Sequence, residues 1–329
     1  MTWRKIMVAV ASTEPLDAAL AEKTLRIATA LDAAIELFHC TFDSEASAAE
    51  GITAADADVR AWVAARQRGL ELAAQPLRRA GASVRAVVRW DFPPHEGIVR
   101  EVLRERPDLL IAQSAPRNRA ARLLLGYTDF KLIEACPCPV LLVKTSEPYK
   151  STCTIAALDP FHAHDKPAAL DDAVLDAAGE LARALKEPLR VYHATSPWPD
   201  VARRVAALRR LPQVVVPDAE AAYRESIAAR VREVAARHGL SGRSIHIAEG
   251  DAGEALPEYA RAEGADVVVM GAVSRSGLRR IVIGHTAERV LDRLDCDALI
   301  VKTADFRSPV TRRSARSAPA RVEGEPHPA

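Results

Sequence analysis

Short runs of β-branched and aliphatic residues alternate along this chain with longer stretches whose apolar positions recur at helical spacing. Arg4–Ala11, Ala34–Cys40, Ser83–Arg89, Asp108–Ala112 and Pro139–Lys144 read as strands. Between them, Leu16–Leu31 carries Leu16, Leu20, Leu25, Ile27 and Leu31 on one helical face, and Ser12-Thr13-Glu14-Pro15 reads as its start. Further helices are predicted within Ala54–Ala80, over Pro94–Arg106 and over Gly126–Ala135, with Asp43–Glu50 a polar loop. Strand and helix in strict alternation specify a parallel sheet with helices on both faces. The strands read as near-continuous apolar runs because such a sheet is covered on both sides.

The order then begins again. Thr152–Leu158, Pro188–His193, Ser244–Ile247, Val267–Met270 and Ala298–Val301 read as strands, and Pro167–Leu185, Asp218–Arg237, Gly253–Ala262 and Thr286–Leu294 as helices. Asp200–Leu211 is a basic amphipathic insertion, with its arginines within Arg203–Arg210. Gly126 falls 18 residues after Asp108, and Gly284 falls 18 after Asp266. Lys144 and Lys302 each follow those glycines by 18 more, Thr128 matches Thr286, and Cys138 matches Cys296. The chain is therefore an internal duplication. The fold class is α/β, with two tandem doubly wound domains at 1–147 and 148–304. Residues 305–329, rich in Arg, Ser, Pro and Ala without periodicity, are expected to form a disordered tail.

Composition narrows the function classes. The 329 residues allow about two domains. A net charge of +1 gives no reason to expect a nucleic-acid or membrane-surface partner. No apolar run approaches the roughly 20 residues that span a bilayer. The N-terminus enters a strand directly, without a signal-peptide pattern. Five cysteines are odd in number and sparse, which suits a cytoplasmic, reduced chain.

The most distinctive chemistry lies at the end of the fourth strand of the second half. Asp266–Met270 leads into Gly271, a loop containing Ser274, Arg275 and Gly277 follows, and Gly284-His285-Thr286 opens the last helix. A helix beginning after a glycine-rich loop presents backbone N–H groups and a positive dipole end to an anion, with phosphate the obvious candidate.

The pattern is similar to that of the universal stress protein family in its tandem form. The motif of its nucleotide-binding members is Gly-x-x-Gly, nine residues, then Gly-Ser/Thr. Here it reads Gly271-Ala272-Val273-Ser274, nine residues, Gly284-His285-Thr286. Arg275-Ser276-Gly277-Leu278 and Ala287-Glu288-Arg289-Val290-Leu291 also look like the family, and the resemblance covers about residues 1–304. It implies strand order 3-2-1-4-5 in each half and a ligand crevice where that order reverses. In the second half, Asp159 and Gly271 line that crevice, and Ala194 lies further along the same edge. The resemblance implies ATP as ligand, with the position of Asp159 at the nucleoside and the loop at the phosphates, where Mg²⁺ has a place beside them. It also implies pairing of the last strands, here within one chain as a pseudo-dimer, with a further homodimer left open.

Two positions depart from the motif: Ser274 replaces a glycine, and His285 stands where Ser/Thr is usual. The first half departs more. Ala11 takes the carboxylate's place, while Gln113, Pro116 and Arg119 replace loop glycines, leaving Gly126 and Thr128. That half is expected to be a structural partner without ATP.

Other clusters read as structural. Cys136-Pro137-Cys138 lacks a second cluster at zinc-ligand spacing and reads as buried thiols. His162, His164 and Asp165 read as solvent-facing loop residues, and His39 and His193 as crevice-lining or structural. No catalytic triad, nucleophile elbow or full Walker loop occurs. The expected function is nucleotide binding without efficient turnover, a weak ATPase at most. The competing reading is a scaffold or binding module for a non-nucleotide small ligand, acting through its surfaces.

Overall fold

The computed structural model describes residues 2–43, 56–114, 127–161, 169–209, 217–272 and 284–312. The first half contains β1 (Lys5–Ala9), α1 (Ala18–Leu31), β2 (Ala34–Thr41), α2 (Ala57–Arg79), β3 (Val84–Trp90), α3 (Pro94–Glu105), β4 (Leu109–Gln113), α4 (Tyr127–Ala135) and β5 (Val140–Val143). The second half contains β6 (Thr154–Ala157), α5 (Ala169–Leu185), β7 (Leu189–Thr195), α6 (Trp198–Arg209), α7 (Pro217–Ala236), β8 (Ile245–Glu249), α8 (Ala252–Ala262), β9 (Val267–Gly271), α9 (His285–Arg293) and β10 (Asp297–Val301). The basic insertion is helix α6, whose Trp198 packs against Tyr223 of α7 with ring centroids 5.4 Å apart.

All ten strands form one sheet in the order β3-β2-β1-β4-β5-β10-β9-β6-β7-β8. Within each half the order is the expected 3-2-1-4-5 and every pairing is parallel. The halves meet where β5 and β10 pair antiparallel, with Leu141 opposite Leu299. Those two leucines are each other's counterparts in the duplication, so the pseudo-two-fold axis passes between them.

The alternation of side chains along each strand sorts the core by face rather than by half. One face packs Ile6, Val8, Ile111, Leu141, Val267 and Leu299 against helices α1, α2, α5 and α7. The other packs Met7, Phe38, Leu110, Leu142, Val268 and Ile300 against α3, α4, α8 and α9. Both layers run unbroken across the join.

Three polar features fix the frame. Asp108 accepts from the N–H groups of Arg4 and Lys5 at 2.7 and 2.9 Å. Its counterpart Asp266 accepts from those of Lys150 and Thr152 at 2.8 and 2.9 Å. Each carboxylate thus holds the entry of its half's first strand beside the fourth. The matched lysines cross the join reciprocally. Lys144 donates to the carbonyls of Leu291 and Leu294 at the end of α9, the latter at 2.7 Å, and Lys302 donates to the Cys136 carbonyl after α4 at 2.5 Å. A cation at a helix C-terminus complements the negative end of its dipole.

A third feature breaks the symmetry. Lys23 of α1 and Asp297 of β10 form a 2.8 Å ion pair with side chains 1% and 0% exposed. The ammonium also donates to Thr145 O and Oγ1 at 2.9 and 2.8 Å, so three acceptors match its three protons. Asp297 accepts in addition from the N–H groups of Lys144 and Thr145. The counterparts of this pair are Ala177 and Pro139.

Two local expectations are corrected. Ser12–Pro15 does not start α1: Asp17 does, because its carboxylate accepts from the N–H groups of Ala19 and Leu20 at 3.0 and 3.1 Å. The expected tail is also packed at its beginning, where Phe306 and Val310 lie against the second core layer and Lys302 Nζ lies 5.0 Å from the Phe306 ring centroid. Residues 313–329 lie outside the described residues.

Candidate functional site

In the second half the chain order reverses between β6 and β9, and the carboxyl ends of these strands open a crevice. Leu158 continues the backbone pairing of β6, donating to Tyr192 O at 2.9 Å. Asp159 follows, half-buried, and its N–H donates to Asp171 Oδ1 of α5 at 3.1 Å. The carboxylate proposed for a nucleoside is thus held at its backbone by a buried second carboxylate. His193 Nδ1 lies 2.9 Å from Leu158 O and fixes the neighbouring turn. Ala194 of β7 is half-buried on the same edge. Phe161 is 47% exposed, its ring 5.8 Å from that of His193, leaving an aromatic surface at the rim.

Gly271 ends β9. A Cβ there would lie 2.7 Å from Leu170 Cγ and Cδ2, so α5 fills the space a side chain would take. A side chain at Gly271 would have to displace Leu170, a packing reason for glycine that holds independently of any ligand. Gly284 differs: among the described residues, an added Cβ meets nothing within 4 Å. It caps α9 with φ −62° and ψ 145° and supplies no side-chain hydrogen bond to the first turn. His285 and Thr286 are exposed beside it. Ser274, Arg275 and Gly277, like His162, His164 and Asp165, lie outside the described residues. Among the described residues, no group of three or more His, Cys, Asp and Glu is arranged to hold a metal.

The first half repeats the scaffold of this site. Val10 donates to Phe38 O at 2.9 Å, and His39 Nδ1 lies 3.0 Å from Val10 O. Burial holds the His39 pKa below its usual value. Ala11 supplies no carboxylate. The decisive difference is at α4, where Asp129 stands in the first turn and accepts from Ser114 Oγ at 2.9 Å, both residues buried. Their counterparts in the second half are Ala287 and Ala272. A carboxylate in the first turn already satisfies the positive end of the helix dipole and repels a second anion. Pro116, Arg119 and Gly126 lie outside the described residues. In the sequence the signal for Asp129 is the alignment of Thr128 with Thr286, which places it opposite Ala287.

An open cavity of about 540 Å³ lies elsewhere in the first half, between α2, β3 and α3. Its charges are engaged internally: Arg100 pairs with Asp91 through two bonds of 2.6 and 2.7 Å, and Arg89 and Arg104 pair with Glu101. Among the described residues, no helix is long and apolar enough to cross a membrane.

The model of the universal stress protein family matches residues 2–144 and again 163–302. Universal stress protein E of Escherichia coli (strain K12) is 27% identical over 237 residues, 70% of this chain and 72% of that protein. A crystal structure of a protein of unknown function from Pseudomonas aeruginosa PAO1 superposes with a TM-score of 0.67 at 28% identity, covering 92% of this chain and 94% of that one. A universal stress protein from Archaeoglobus fulgidus DSM 4304 has a TM-score of 0.63 over 92% of this chain and 99% of its own at 15% identity, a likeness of fold. With the duplicated sheet, the repeated site scaffold and two matched segments together, the chain belongs to the universal stress protein family in tandem form.

Proposed function

We propose that this chain is a cytoplasmic binding protein whose second half holds one adenine nucleotide, ATP, and whose first half is its structural partner. The site comprises Asp159 and Ala194 on the nucleoside side. On the phosphate side it comprises Gly271, Ser274, Arg275, Gly277, Gly284, His285 and Thr286. The observation that carries the reading is the contrast between the two last helices. The start of α9 has a glycine cap with no described neighbour within 4 Å of its Cβ position and no side-chain cap, whereas the start of α4 holds a buried carboxylate. Backbone N–H groups at the α9 terminus suit phosphate oxygens, and Asp159 suits a ribose hydroxyl or adenine amine. Any Mg²⁺ would arrive with the phosphates. Binding proceeds without efficient hydrolysis, since turnover needs a positioned water and a charge clamp on the γ-phosphate.

The two domains, 1–147 and 148–304, act as an intramolecular pseudo-dimer. The pairing of β5 with β10 supports this and occupies both last strands, so a further homodimer would use another surface. Thermal unfolding with and without ATP and Mg²⁺ tests the nucleotide reading. A ligand at 100 times its Kd that binds only the folded chain stabilises it by about 2.7 kcal/mol, and no shift at millimolar ATP would refute the proposal. Leu170 over Gly271 favours the competing reading, a non-nucleotide ligand, because it removes one reason for a glycine there. Mass spectrometry of small molecules extracted from the purified protein separates the two.

A further inference from the structure

Cys136 and Cys138 occupy the corner between α4 and β5, with their sulfurs 3.5 Å apart. Cys136 is fully buried and Cys138 is half-buried. The ammonium of Lys302 reaches this corner from the second half and donates to the Cys136 carbonyl at 2.5 Å. Lys302 is 7% exposed, and among the described residues no carboxylate pairs with it. The groups beside it that can carry negative charge are the two thiols.

The duplicate corner shows that packing does not require this arrangement. There the counterparts of Cys136, Pro137, Cys138 and Pro139 are Leu294, Asp295, Cys296 and Asp297. Lys144 makes the same carbonyl contact to Leu294, and the negative charge around it comes from Asp292, Asp295 and Asp297. A leucine serves where Cys136 stands. Carboxylates flank the second corner; at the first, among the described residues, the only acidic partner of the lysine is a thiol pair. Burial pushes the Cys136 thiol up, but S–H donation from Cys138 and the Lys302 charge outweigh it and bring it below its usual value. The other three cysteines are held protonated by burial, Cys40 and Cys296 pushed up to about 12 and Cys153 to about 11.

We propose that Cys136 and Cys138 form a modification site that a peroxide closes to an intramolecular disulfide. The inference is independent of the nucleotide reading. At rest Cys136 is the favoured thiolate; the Cys138 proton passes to it across the 3.5 Å contact, and the half-buried Cys138 sulfur, the one a peroxide can reach, becomes the nucleophile. It attacks a peroxide oxygen: the S–O bond forms, the O–O bond breaks, and the departing hydroxide takes a proton from solvent. The Cys136 sulfur then attacks the sulfenic acid. The S–S bond forms, the S–O bond breaks, and hydroxide leaves as water with the Cys136 proton. Two thiols and one hydrogen peroxide give one disulfide and two waters.

The test treats the full chain with hydrogen peroxide, blocks remaining thiols with N-ethylmaleimide after denaturation, and maps the peptides by mass spectrometry. The expected result is that the peptide holding Cys136 and Cys138 loses two hydrogens and takes no label. Cys40, Cys153 and Cys296 stay fully labelled, and dithiothreitol reverses the change. Lys302→Met should slow closure by about tenfold, as for one pKa unit of lost thiolate. Unchanged labelling of both cysteines after peroxide would overturn the proposal, as would cross-linking between chains or oxidation to sulfinic acid without a disulfide. Closure at the wild-type rate in Lys302→Met would overturn the role of Lys302. Should that variant not fold, the wild-type peptide map decides.

Discussion

The starts of α4 and α9 occupy equivalent places in the two halves of one duplicated sheet, yet they are finished in different ways. At α4 a buried Ser114–Asp129 pair fills the first turn. At α9 alanines stand in both places and a bare glycine caps the helix. The strand scaffold is the same on both sides, down to the histidine bonded to the carbonyl after the first strand. A few side chains therefore finish two equivalent helix starts differently, while the strand scaffold that positions them stays constant.

The largest expected effect concerns the join rather than the sites. Lys23→Met leaves Asp297 buried without its cation and should cost about 3–5 kcal/mol in denaturant unfolding. Its symmetric counterpart Ala177 has no such role, so substitutions there should follow packing volume alone. A loss below 1 kcal/mol for Lys23→Met would show that the halves are not held by this pair.

The two motif glycines of the second half should behave differently. Gly271→Ala drives a methyl group into Leu170 and should destabilise by about 1–3 kcal/mol, with recovery when Leu170→Ala is added. Gly284→Ala meets no described neighbour within 4 Å and should cost under about 1 kcal/mol. Equal losses would show that one constraint governs both. In the first half, Ser114→Ala reproduces Ala272 of the second and should cost about 1 kcal/mol for the lost hydrogen bond.

A pH dependence is carried by Glu187, whose counterpart is Ala33. Burial, with the Asp266 carboxylate adding to it, pushes Glu187 from 4.5 to about 8, against donation from Thr154 and the charge of Arg26. Between those values the folded chain keeps a proton that the unfolded chain releases, so stability falls as pH rises through this window. Below it both states are protonated and the dependence ends. Glu187→Gln should flatten the slope, as seen in melting temperatures from pH 5 to pH 8, whereas an unchanged slope would assign it to other groups.

Much of the architecture was legible because the apolar period and the duplication are both long-range averages over many residues. The element starts were less so. Ser12–Pro15 carries helix-start residues, yet the hydrogen bonds are made by Asp17, and the choice rests on three-dimensional fit. Lys144 and Lys302 were visible as a matched pair, but not that each reaches the other half. Lys23 and Asp297 are 274 residues apart, and no local pattern links them. At the candidate site, glycine is ambiguous in sequence between admitting a ligand and admitting a neighbouring helix. Leu170 supplies a packing reason for glycine at Gly271, whereas at Gly284 no described neighbour within 4 Å supplies one.

The comparison predicts a definite count of ligands, which equilibrium dialysis with labelled ATP measures directly on the full chain. Wild type should bind one nucleotide per chain. Ala287→Asp, which places the first half's carboxylate in the first turn of α9, should bind none while remaining folded. Two nucleotides per chain, none in wild type, or undiminished binding by Ala287→Asp would contradict the account.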